Sequence, residues 1–74
     1  MTLKELRAQS GLTAAKVAEA LGVTESAISN YENGKRMIGI EQVLKLSKLY
    51  DYSAEDIINA QLNSYQKALR DNLL

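Results

Sequence analysis

Residues 13–36 read TAAKVAEALGVTESAISNYENGKR and hold two short helices around a glycine turn. Thr13 can cap a helix whose Ala14, Val17, Ala18 and Leu21 share one face, and Gly22 stops it. Thr24 stands at the next N-cap position, and Glu25 in the first turn favours the helix dipole, so a further helix runs to about Glu32 before Asn33-Gly34 closes it. Two helices that cross steeply need a small residue where one passes over the other, which Ala18 supplies. The turn needs tolerance of positive φ, which Gly22 supplies. Val23 and Ile28 then fill the space between the helices and leave Glu25, Ser26, Ser29 and Asn30 facing outward.

The rest of the chain follows the same period. Thr2 precedes Leu3 and Leu6 as the cap of a first helix that ends at Gly11. Ile40, Val43, Leu44, Leu46 and Leu49 mark a fourth helix, and Ser53 with Asp56 three residues on resembles a capping box that begins a fifth. Proline is absent, and β-branched residues never alternate with polar ones over a strand's length. The fold class is all-α, with a helix-turn-helix at its centre.

Length and composition narrow the function. Seventy-four residues make one domain at most, so any function sits on one small surface. Without Cys or His, zinc fingers, thiol nucleophiles, disulfides and imidazole bases are unavailable, and no metal, cofactor or catalysis is expected. Apolar runs are far too short to cross a bilayer and no secretory signal opens the chain, so a cytoplasmic location is expected by default. The nine basic and nine acidic residues cancel, but unevenly. Residues 1–50 carry seven basic and five acidic side chains, and residues 51–74 carry two and four, giving halves of +2 and −2. A nucleic-acid binder usually shows a stronger basic patch.

Residues 3–58, from LKELRAQSGLTAAKVAEALGVTESAISNYENGKR through IEQVLKLSKLYDYSAEDII, resemble the phage-repressor/Cro-type helix-turn-helix family over about three-quarters of the chain. The elements that carry the resemblance are Leu6-Arg7, Gly11-Leu12-Thr13, Ala18 with Gly22-Val23-Thr24, Ile28-Ser29, and Tyr31 through Arg36. It implies a compact five-helix lambda-repressor-like domain over residues 1–60, with residues 61–74 as a C-terminal helical extension. It further implies binding of a double-stranded DNA operator, the third helix lying in the major groove. Carried over by position, Glu25, Ser26, Ser29 and Asn30 would read bases: Asn pairs with adenine, Glu accepts from cytosine N4, and Ser is a short, permissive reader. Thr13, Lys16, Asn33, Lys35 and Arg36 match positions that hold phosphate. Arg7 and Glu32 match a structural ion pair. The chain departs from the family where Ala14 replaces a common phosphate-binding Gln, where Glu25 adds a negative charge, and where Asp51 replaces a frequent Gly.

Beyond Ile57, the residues Ile58, Leu62, Tyr65, Leu69 and Leu73 recur at steps of 4, 3, 4 and 4 and form one apolar stripe on a helix. The stripe either packs back onto its own domain or meets a partner, whether its own copy in a homodimer or another protein. Two functions compete on these residues. One is a small repressor of phage, prophage or plasmid type that binds DNA as a homodimer. The other is an interaction module, an antirepressor or antitoxin-like protein whose helical surfaces engage another protein, a repressor being one candidate. Ala14 and the zero net charge favour the second; the Ser-Asn face and Lys35-Arg36 favour the first.

Overall fold

A computed structural model describes residues 1–73, with side chains through residue 72. Among the described residues there are five helices and no strand: α1 (Leu3–Gln9), α2 (Ala14–Leu21), α3 (Glu25–Glu32), α4 (Ile40–Tyr50) and α5 (Ala54–Leu73). The boundaries follow the capping chemistry in the sequence. The Thr2 hydroxyl accepts from Glu5 N–H while the Glu5 carboxylate accepts from Thr2 N–H at 2.8 Å, a complete capping box. These hydrogen bonds hold the exposed Glu5 carboxyl below its usual pKa. Thr13 and Thr24 cap α2 and α3 by accepting from Lys16 N–H at 3.2 Å and Ala27 N–H at 3.1 Å. Gly22 ends α2 in the left-handed conformation at φ 72°. Asp51 ends α4 in the same region at φ 59°, the substitution Asp tolerates better than most residues.

One core joins all five helices. Leu3 and Leu6 of α1, Val17, Ala18 and Leu21 of α2, Ile28 and Tyr31 of α3, Val43, Leu46 and Tyr50 of α4, and Ile57 and Ala60 of α5 are buried together with Ile38. Each large side chain contributes roughly 1.5–3 kcal/mol on leaving water. Ala18 of α2 and Ile28 of α3 are buried, and partly buried Val23 packs against the same cluster. Burial also pushes the Tyr50 hydroxyl up to about 12.

Two features go beyond the sequence reading. Ile40 and Leu44 lie in α4 as read from the sequence, but they are 68% and 52% exposed. The buried row Val43, Leu46 and Tyr50 takes the face between α2 and α5, and the row 40–44 is turned about 60–100° away from Val43 at 100° per residue. Helix α5 runs across the boundary between residues 60 and 61 as one 20-residue helix, so the expected extension continues the last helix of the domain. Ala60, Gln61 and Ser64 are all buried, which makes the start of the expected extension part of the domain.

Candidate nucleic-acid interface

α2, the Gly22 turn and α3 form the helix-turn-helix, and the outer side of α3 presents the polar set read from the sequence. Glu25, Ser26 and Ser29 are exposed, and Asn30 is half-buried. Steps of one, three and one residue put these four on a single side of α3 along about 7.5 Å of helix. Asn30 has a second role through its backbone, since its C=O accepts from Lys35 N–H at 2.9 Å and from Arg36 N–H at 3.2 Å. The Asn33 amide donates to Ser29 Oγ at 3.2 Å, which ties the turn to the helix. The helix end and the following cations therefore form one local structure.

Lys35 and Arg36 are exposed, and the Arg36 guanidinium lies 5.9 Å from the centroid of the Tyr31 ring. Such a contact is worth about 0.5–1 kcal/mol at an exposed site and restrains the cation without neutralising it. Thr13 and Lys16 are exposed at the start of α2, where free backbone N–H groups and the helix dipole favour an anion. Glu32 would place a carboxylate beside this surface, but Arg7 takes it. Arg7 Nε donates to Glu32 Oε2 at 2.6 Å and Arg7 Nη2 to Oε1 at 3.1 Å, while Nη1 donates to Leu12 C=O at 3.2 Å. The hydrogen bond to Glu32 raises the Arg7 pKa further above its already high value. Among the positions assigned to this surface, Lys16, Lys35 and Arg36 supply three cations and Glu25 a carboxylate.

A family profile described as helix-turn-helix matches residues 3–57. The chain belongs to the helix-turn-helix family. This helix-turn-helix chain is 31% identical to the HTH-type transcriptional regulator ImmR of Bacillus subtilis (strain 168), over 93% of its length and 65% of that protein. It is 39% identical to the HTH-type transcriptional regulator PuuR of Escherichia coli (strain K12), over 77% of its length and 31% of that protein. It is 30% identical to an uncharacterized HTH-type transcriptional regulator, YobD, of Bacillus subtilis (strain 168), over 96% of its length and 63% of that protein. The chain thus spans less than two thirds of each of these relatives. No solved structure matches it.

The described part of the stripe is only partly covered by the domain. Ile58, Leu62, Tyr65 and Leu69 are 40–44% exposed, and the Leu73 side chain lies outside the described residues. Met37, Ile40 and Leu44 add exposed apolar area at the start of α4. Between Met37 and Ile40, the Ile38 N–H is bonded to the Gln61 side chain, which ties this end of α4 to α5. Two polar residues were missed by sequence reasoning. Gln61 and Ser64 are buried against the body of the domain, and the signal for them was their place beside Ile57 and Ala60 in the helical period. Among the described residues, no helix is long and apolar enough to cross a membrane, and no three acidic side chains gather as a metal site.

Proposed function

We propose that the protein is a small DNA-binding transcriptional repressor of phage, prophage or plasmid type that occupies a palindromic operator as a homodimer. The observation that carries the reading is the outer side of α3. Glu25, Ser26, Ser29 and Asn30 stand there together, bounded by the Lys35-Arg36 turn and with Glu32 neutralised by Arg7. In this reading α3 enters the major groove, Asn30 and its neighbours read bases, and Thr13, Lys16, Asn33, Lys35 and Arg36 meet phosphates. Relatives with the same domain are transcriptional regulators by name, which supports it. One helix-turn-helix reads about half a turn of DNA, so specificity calls for two copies held one helical turn apart. The exposed apolar residues along α5, Ile58, Leu62, Tyr65 and Leu69, support a second copy as the element that holds them.

The test is a gel shift against DNA upstream of the protein's own gene, at low and moderate salt. A retarded band that resists competition by random duplex supports the reading. Asn30→Ala should weaken that band by about 1–3 kcal/mol, and an unchanged affinity sinks the base-reading role. The competing reading is an antirepressor or antitoxin-like module that binds a repressor through the same apolar surface, and Ala14, Glu25 and the zero net charge favour it. A monomer that shifts no DNA but forms a stoichiometric complex with a repressor decides for that alternative.

A further inference from the structure

Helix α5 has a buried side that contacts the turn after α3. Gly34 lies so close to α5 that a Cβ there would stand 2.9 Å from Ala68 Cβ, 3.0 Å from Ser64 O and 3.1 Å from Tyr65 Cα. Four residues later the Ile38 N–H donates to Oε1 of Gln61, a side chain only 7% exposed. Ser64, 3% exposed, accepts from Leu3 N–H at 3.0 Å and donates to Ala60 C=O at 3.0 Å, which fixes this stretch of α5 to α1. Residues 34–38 therefore form a strap tied at two ends. The Asn30 carbonyl holds Lys35 and Arg36 at one end, and Gln61 holds Ile38 at the other. The two exposed cations stand at the first tie, three and two residues before the second.

We propose that Gln61 is a positioning residue for DNA-backbone binding, holding the Lys35-Arg36 strap in the conformation that meets phosphate. The proposal rests on the DNA-binding reading. Ile38 is buried, and an N–H in such a place that loses its acceptor must find water by lifting the strap. A strap loose in the free protein has to be ordered on binding, and that cost falls on affinity. Phosphate contacts carry no sequence information, so the loss is equal for every duplex. A base-reading change would instead alter the ratio between sites. A purely structural residue would lower stability and leave the affinity of the folded protein untouched.

The experiment uses the full chain and its variants Gln61→Met, which fills the space without an acceptor, and Gln61→Glu, which keeps an oxygen in either protonation state. Fluorescence anisotropy measures binding to the best operator duplex and to a random-sequence duplex, and amide hydrogen exchange follows Ile38 in the free protein. The expected result is faster Ile38 exchange and about three- to tenfold weaker binding to both duplexes in Gln61→Met, with an unchanged ratio between them, and substantial recovery in Gln61→Glu. Gly34→Ala, which pushes the strap off Ala68, should show the same equal loss and serves if Gln61→Met does not fold. Exchange of the wild-type Ile38 amide at the rate of a free peptide overturns the proposal without any variant. Wild-type binding with folded Gln61→Met unaltered, or with a changed ratio, overturns the positioning role alone. A wild-type chain that binds neither duplex overturns the DNA-binding reading and this proposal with it.

Discussion

Replacing Arg7 by alanine removes the cation that joins α1 to the end of α3. The pair is bidentate, at 2.6 and 3.1 Å, and its side chains are 19% and 9% exposed for Arg7 and Glu32. That setting lies between an exposed pair, worth about 0.2–1 kcal/mol, and a buried pair, whose disruption costs about 3–5 kcal/mol. Each single change to alanine should therefore cost about 2–4 kcal/mol. Arg7→Ala should cost about 1 kcal/mol more than Glu32→Ala, because it also strips Leu12 C=O of its donor. A domain of this length has on the order of 4–11 kcal/mol in total, so either loss is a large share of it. Urea unfolding of the wild type, both singles and the double variant gives the coupling directly. The double should be less destabilised than the sum by about 1–3 kcal/mol, since removing the second partner leaves no unpaired charge behind. Added salt should change this coupling little, because the pair is largely withdrawn from solvent. Additivity within a few tenths of a kcal/mol would refute the argument that these groups act as one unit.

Three other outcomes can be checked on the same material. The Tyr50 hydroxyl titrates near 12 in the folded protein but near 10 in the unfolded chain, so the unfolded state loses its proton first and stability falls as pH rises between those values. Tyr50→Phe should flatten that fall by roughly 2–3 kcal/mol, and identical alkaline melts for the two proteins would contradict it. Gly22 and Gly34 share φ 72°, but an added Cβ at Gly22 meets open space whereas at Gly34 it meets Ala68. Gly22→Ala should cost about 1–2 kcal/mol in thermal melts and Gly34→Ala clearly more; equal losses would mean that α5 yields freely. Leu62→Glu with Leu69→Glu should leave the melting temperature nearly unchanged, both positions being exposed, while reducing the mass seen by light scattering to that of a monomer. A wild type that is already monomeric would remove the homodimer.

The sequence carried the helix ends because they are local. Thr2, Thr13, Thr24 and Gly22 act on backbone groups within four residues of themselves, so reading them needed no tertiary knowledge. The Arg7 and Glu32 pairing spans 25 residues, and it was legible only through the family resemblance, since no spacing brings those positions together. Ile40 and Leu44 mark α4 correctly, yet they stay exposed for a physical reason. Periodicity shows which residues could be buried, but how wide a face is covered depends on the neighbours, and α2 and α5 cover only part of α4. Gln61 and Ser64 were passed over because a polar residue on a helix reads as solvated unless its partner is known. Their partners are the backbone N–H groups of Ile38 and Leu3, far away in the chain. The polar set on α3 was legible as a set, whereas its role depends on a ligand that no sequence pattern contains.

The most direct test of DNA recognition by α3 is an amide NMR titration of the full chain with duplex DNA that carries the operator. The account predicts that the perturbed resonances cluster at residues 13–16, 25–30 and 33–36, while those of Ile58, Leu62 and Leu69 keep their free-protein positions at a protein concentration where the oligomeric state does not change. Perturbation confined to α5 and the start of α4, or none at DNA concentrations well above that of the protein, would contradict it.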